Sequence, residues 1–214
     1  MADDFVITSS DGSTNGNIDA GAINGSDTVS LGVALAPTET NGGISTTNVE
    51  DVDDGNTVTV TETGSIKTTG IIADGIFNLG SDNETTVSGS ITTEGDNAYG
   101  IYNNGDSNTT TVSGSIKTTG TEGLGIFSHG SNNSVTISGT VSTTNSIYGA
   151  LVSRYGTGNS FTLNEGATII GDITARVEGI KNKLTFNLGQ DASYAYSVGG
   201  VGEGEGGGQW AFTD

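Results

Sequence analysis

The sequence predicts an all-β chain folded as a right-handed parallel β-helix, a β-solenoid of about 25 residues per coil and roughly seven coils. Three observations carry this expectation. The phrase GSIKTTG stands at 64–70 and again at 114–120, with GSITTEG midway at 89–95, a step of 25 residues. Stretches such as Thr85-Thr86-Val87 and Val135-Thr136-Ile137 alternate with the period of two expected of strands, and no stretch carries the 3.6 period of a helix. An Asn also precedes an apolar residue by four positions in six successive copies: Asn56, Asn83, Asn108, Asn133, Asn159 and Asn182 stand before Val60, Val87, Val112, Ile137, Leu163 and Phe186. Short strands that recur once per repeat bury little alone, so stacking on their copies is what gives them a core.

The elements follow in chain order. Residues 1–55 hold weaker copies, such as Asp27-Thr28-Val29-Ser30-Leu31, together with Pro37, and read as an N-terminal cap with irregular first coils that blunt an open sheet edge. Residues 56–197 read as regular coils that loosen after 163, where Gly166-Ala167-Thr168-Ile169-Ile170 intrudes. Each coil offers three strands. In one, Ile66, Ile91, Ile116 and Val141 point inward; in another, the Val87, Val112, Ile137 and Leu163 column faces in, with Thr85, Thr110, Val135 and Phe161 two residues before it. The Asn column falls at the turn entering that strand, where Asn suits left-handed backbone and stacked amides bond from rung to rung. Residues 198–214 form a Gly-rich tail that leads toward a missing C-terminal segment.

Composition narrows the function classes. The net charge is −19, and residues 1–66 carry eleven acidic side chains and no basic one. Without a basic patch, nucleic-acid binding is excluded and an anionic membrane surface is disfavoured. There is no Cys, hence no disulfide or thiolate metal site. No run approaches the ~18 apolar residues of a membrane-spanning helix, so direct membrane insertion is not expected. The start, MADDFVITSS, has neither a basic nor an apolar region of a signal peptide, so the chain reads as cytosolic or as an internal piece of a longer secreted protein.

Candidate chemistry is sparse. Glycosidases need paired carboxylates on one face. Asp74, Asp82, Glu84, Glu94, Asp96, Asp106 and Glu122 are scattered, although Asp82 falls near Asp106 in register and Glu94 near Asp96. His129, the single histidine, reads as a turn residue rather than a base, and no catalytic set or cofactor is expected. Asp51, Asp53 and Asp54 are hard oxygen ligands suited to a structural calcium, but they lack the EF-hand spacing and read first as a solvated acidic turn.

Surface ladders are the better candidates. Thr59, Thr86, Thr111, Thr136, Thr162 and Thr185 should form one outward file of hydroxyls. Its plain reading is that Thr suits a half-exposed strand; its functional readings are self-association with a like face, or ice binding. Ice binding calls for two matched files, and the neighbouring file of Glu84, Thr109, Ser134, Ser160 and Lys183 is mixed. Phe77, Tyr102 and Phe127 form an aromatic ladder beside Ile76, Ile101 and Ile126; alternation sends one of the two outward, and sequence leaves open which.

The Gly-Ser-Ile-x-Thr-Thr, Gly-Ile-Phe/Tyr and Asn-x-x-Thr-Val-Ser phrases resemble the passenger region of autotransporters, the type V secretion family of Gram-negative bacteria. The ending, Gln209-Trp210-Ala211-Phe212-Thr213-Asp214 after a Gly-rich run, is similar to the junction beyond such passengers. The resemblance implies an extracellular or cell-surface location in the full-length protein and an adhesive or structural role, with partners drawn from self or a surface glycan. The alternatives are a carbohydrate-binding or carbohydrate-acting β-helix (a polysaccharide lyase or glycoside hydrolase) and an ice-binding solenoid.

Overall fold

The structure is a computed structural model that describes residues 54–146, 148–175 and 181–187, residue 189, and the strands Asp4–Ile7, Ile18–Asp19, Thr28–Leu31, Ala34–Leu35, Ile44–Ser45 and Gln209–Thr213. Strands recurring at the repeat length stack into three parallel sheets, and the chain is a β-solenoid. A nine-stranded sheet runs through Asp4–Ile7, Thr28–Leu31, Thr57–Val60, Glu84–Val87, Thr109–Val112, Ser134–Ile137, Ser160–Asn164, Lys181–Asn187 and Gln209–Thr213. A six-stranded sheet runs through Thr168–Ile170, Thr140–Thr143, Ser115–Thr118, Ser90–Thr93, Ser65–Thr68 and Ala34–Leu35. A seven-stranded sheet runs through Ile18–Asp19, Ile44–Ser45, Ile76–Leu79, Ile101–Asn104, Ile126–His129, Leu151–Arg154 and Ile173–Ala175.

About five regular turns lie between Thr57 and Ala175, fewer than the roughly seven expected. The difference lies at the ends. Towards the N-terminus the sheets continue in strands as short as Ala34–Leu35 and Ile44–Ser45, and beyond Ala175 the described strands Lys181–Asn187 and Gln209–Thr213 add to the nine-stranded sheet alone. Gln209–Thr213 therefore pairs within this sheet. The expected cap around Pro37 and the Gly-rich run at 199–208 lie outside the described residues.

The interior follows the inward columns read from the sequence. Ile66, Ile91, Ile116 and Val141 are buried, as are Val87, Val112, Ile137 and Leu163, and Thr85, Thr110, Val135 and Phe161 lie beside them. Each fully buried aliphatic side chain contributes roughly 1.5–3 kcal/mol of burial free energy, and the strict register multiplies this rung by rung. Narrow coils also bury polar groups, and most of them find a partner. The Thr68, Thr93 and Thr118 hydroxyls donate to the carbonyls of Ala73, Ala98 and Gly123, and the Asn78 amide donates to Asn103 Oδ1 at 2.7 Å and Thr85 Oγ1 at 2.9 Å.

The Asn column is a buried spine. The backbone N–H of Asn83 donates to Asn108 Oδ1, that of Asn108 to Asn133 Oδ1, both at 2.9 Å, and that of Asn133 to Asn159 Oδ1 at 2.8 Å. The series extends from Asn56, which donates to Asn83, up to Asn182, which accepts from Asn159. The amide Nδ2 of Asn108, Asn133 and Asn159 donates in turn to the carbonyls of Gly80, Gly105 and Gly130. Left-handed backbone, expected at these Asn residues, falls instead on the residue just before each: Asp82, Ser107 and Asn132 have φ of 59–60°. The turn is made there so that the Asn amide can turn inward and reach the rung below.

The repeated phrase has a steric origin as well. Gly64, Gly89, Gly114 and Gly139 lie one above another, and a Cβ on Gly89, Gly114 or Gly139 would overlap the carbonyl oxygen of the glycine beneath it. Backbones that approach this closely admit only Gly.

Candidate functional site

Alternation fixes the aromatic ladder. In Ile76–Leu79 and Ile101–Asn104 the first and third residues are buried in the coil, so the second points away from it. Phe77, Tyr102, Phe127 and Val152 are strict cross-strand partners and form a file on the outer face of the seven-stranded sheet. Beside it runs a second outward file of Leu79, Asn104, His129 and Arg154.

The outer file is roofed. Tyr99 and Leu124 sit in the turns that precede their strands, and Tyr148 enters from the next coil; with Tyr102, Phe127 and Val152 they form a second apolar cluster outside the main core. Tyr102 stacks on Phe127 with centroids 5.0 Å apart and planes 23° off parallel, while Tyr99 meets both rings edge-on at 5.6 and 5.5 Å. Such edge-to-face and offset arrangements suit the ring quadrupoles. Phe127 is only 8% exposed although it lies outside the coil.

Four titratable groups feel this cover, among them the Tyr99 phenol, which burial and then the Asp74 charge push up. Asp74, at the foot of the roof, is 9% exposed; burial pushes its carboxyl up to about 7, partly opposed by the Tyr99 N–H that donates to its Oδ1 at 2.7 Å. Burial, then the neighbouring Tyr99 and Asp74, pushes the Tyr102 phenol up to about 12. His129 is lowered by burial and then by the Arg154 charge. The sequence placed His129 in a turn, but it ends the strand Ile126–His129, held by ring stacking on Phe127 at 5.9 Å and by a 3.1 Å hydrogen bond between its Nδ1 and the Tyr102 hydroxyl.

One break of the repeat on this face adds a residue. Arg154 pairs with His129, a step of 25, but Gly156 sits over Gly130, where a Cβ would overlap the Gly130 carbonyl. One residue has been inserted: Tyr155. It has φ 62° and is 58% exposed. The other described non-glycine residues with positive φ fall in two turn columns, Ile72, Asn97 and Glu122 or Asp82, Ser107 and Asn132, and Tyr155 belongs to neither. Left-handed backbone costs an L-residue about 1–2 kcal/mol. The inserted ring lies 4.3 Å from the Arg154 guanidinium and 5.1 Å from the His129 ring. Next to it is a pocket of about 60 Å³ lined by Tyr99, Leu124, Phe127, Tyr148, Val152 and Arg154.

The nine-stranded sheet presents the opposite character. Thr59, Thr86, Thr111, Thr136, Thr162 and Thr185 are strict register partners and point outward. The neighbouring outward file reads Thr57, Glu84, Thr109, Ser134, Ser160 and Lys183.

The scattered carboxylates serve the coil. Asp96 Oδ1 accepts the Thr121 N–H and Asp106 Oδ1 the Ser131 N–H, each one rung on, while Glu94 pairs with Lys67 at 2.8 Å. Asp54 accepts the Ser81 N–H in the same way; Asp51 and Asp53, its companions in the calcium reading, lie outside the described residues. Among the described residues no group of three His, Asp or Glu could hold a metal ion, and no helix is long and apolar enough to cross a membrane.

The sequence shows the ladders but not the roof of Tyr99, Leu124 and Tyr148 or the pairing of Arg154 with Tyr155, and it offers Asp74 only as one of the scattered carboxylates, not as a buried one. Two signals were available: Tyr99 and Leu124 both stand directly before a Gly-Ile strand start, and the step from Gly130 to Gly156 is 26 rather than 25. No protein-family model, no curated protein and no solved structure matches the chain.

Proposed function

We propose that the chain is a rigid, non-catalytic β-solenoid spacer from an extracellular, autotransporter-type passenger, and that it associates side by side with a second copy of itself through the nine-stranded sheet. The unbroken outward Thr file carries this reading, since a row of short hydroxyls from Thr59 to Thr185 offers a uniform surface that two copies can share. The file beside it supplies an orientation. Exposed Glu84 and exposed Lys183 lie at opposite ends, four rungs or ~19 Å apart at the strand spacing. An antiparallel pair with two-fold symmetry sets each Glu84 against the partner's Lys183, as self-complementary interfaces require. Asp74, Asp96 and Asp106 are held in rung-to-rung hydrogen bonds and Glu94 in an ion pair with Lys67, which favours this role over catalysis. Sedimentation velocity over a wide concentration range should show a reversible dimer; loss of the dimer in Glu84→Lys and its return in Glu84→Lys with Lys183→Glu would support the antiparallel arrangement.

A second reading is favoured by the outer aromatic cluster. The half-buried Tyr99, Tyr102 and Tyr148 rings and the exposed Tyr155 ring, beside a pocket, suit the apolar face of a sugar ring, so the seven-stranded sheet is the face on which a surface glycan would bind.

A further inference from the structure

We propose that the pocket at Arg154 takes the carboxylate-bearing end of an acidic saccharide, a terminal uronic or sialic acid residue. The inference rests on the saccharide-binding reading and gives it a ligand class and a residue set.

The chain carries a net charge of −19, and only six residues are basic. Among the described residues one ion pair forms, between Lys67 and Glu94; no described carboxylate pairs with Arg154, whose guanidinium lies 4.3 Å from the Tyr155 ring centroid and lines the pocket. A guanidinium that lines a pocket beside tyrosine and aliphatic side chains and has a ring over one face presents its planar N–H edge, the edge that binds a carboxylate through two parallel hydrogen bonds. The inserted residue points to the same place. Where the coils before it follow this strand with Gly80, Gly105 and Gly130, all at positive φ, Arg154 is followed by an exposed Tyr in a left-handed conformation. Backbone outliers of this kind concentrate where a side chain must be aimed. This one aims a ring at the Arg154 guanidinium and holds it beside Tyr99, Phe127 and Tyr148.

Size restricts the occupant. A pocket of about 60 Å³ is on the order of two water volumes. It accepts a carboxylate or another short substituent, not a whole pyranose. The rest of the sugar must then lie over the rim, where aromatic edges and the exposed Tyr155 ring meet its C–H face. The ligand is therefore a chain end, with its acid group inserted and the remainder leading away from the rod.

The test uses the full chain and its methyl resonances, because Leu124 and Val152 both line the pocket. Glucuronic acid and N-acetylneuraminic acid are titrated separately, with methyl glucoside and acetate as controls. Saturable shifts confined to Leu124 and Val152 with the acidic sugars, and none with either control, are expected. Arg154→Gln should weaken binding about tenfold. Tyr155→Gly, which keeps the left-handed backbone without strain and so preserves the fold, should weaken it several-fold. Equal shifts with methyl glucoside that survive Arg154→Gln would overturn the acidic-sugar assignment and leave saccharide binding standing. Shifts as large with acetate would overturn it too, since the ring would then contribute nothing. No shift with any probe would reject both this inference and the saccharide reading beneath it.

Discussion

The nine-stranded and seven-stranded sheets share one backbone repeat yet use it in opposite ways. On the first, the outward residue is Thr on six successive strands. On the second, the equivalent file reads Phe77, Tyr102, Phe127 and Val152, its neighbour reads Leu79, Asn104, His129 and Arg154, and one coil carries an extra residue. A stacked coil constrains inward positions tightly and outward ones weakly. Constancy on an outward face suits a contact that is itself periodic, as the proposed second copy of the rod would be. Variation concentrated on one outward face, with a strained insertion within it, calls for a contact that is local.

The largest effect should come from the shared scaffold rather than from either face. Asn108→Ala strips the acceptor from the buried Asn83 N–H and the donor from the Gly80 carbonyl. At 1–3 kcal/mol for each orphaned group, the loss is about 4 kcal/mol, measured by urea unfolding, and both faces should fail together. If they failed separately, the two sheets would not share one cooperative coil.

The next effect belongs to the aromatic face alone. Asp74 sits at 3.8 when exposed and about 7 in the folded chain, raised chiefly by burial. The folded state therefore holds its proton more tightly than the unfolded state. The stability Asp74 contributes is fully present below about pH 4 and is lost as the pH rises through 7, a span on the order of 4 kcal/mol. Asp74→Asn keeps an oxygen for the Tyr99 N–H and should remove that slope, leaving the variant more stable than the parent at pH 8. Thermal melts across pH 4–8 check this, and an unchanged slope would show that the roof does not desolvate the carboxylate.

Smaller still, Tyr155→Gly should raise stability by about 1 kcal/mol through relief of the left-handed backbone, even as it weakens binding at the pocket. Stability gained where binding is lost would separate the inserted residue from the scaffold around it. Smallest, Thr111→Val on the uniform face should leave stability within about 0.5 kcal/mol, because Thr111 is exposed and its file does not hold the coil together.

Much of this was legible in the sequence because a solenoid writes its register into its period. The three strands per coil, the inward Ile66, Ile91, Ile116 and Val141 column and the Asn spine all follow from a step of about 25 residues. The Asn ladder was placed correctly while its geometry was not: periodicity gives the column, but only the backbone shows that Asp82, Ser107 and Asn132 make the turn. The aromatic face was hidden for a different reason. Phe77 and Tyr102 repeat, whereas Tyr99, Leu124 and Tyr148 are brought together from turns that differ in each coil, and Asp74 is buried by side chains 25 and more residues away. A lattice of repeats predicts what recurs, and a site built from exceptions becomes visible only when the coils are stacked.

The claim that the constant face is an interface between copies is tested most directly by sedimentation velocity on the parent chain and on Thr111→Asp with Thr136→Asp. Both substitutions fall on outward positions, so the coil should remain folded, and together they place two rows of like charge across the shared surface. The account predicts a concentration-dependent dimer for the parent and a monomer for the variant at every concentration. A parent that stays monomeric throughout, or a variant that dimerises as the parent does, would contradict it.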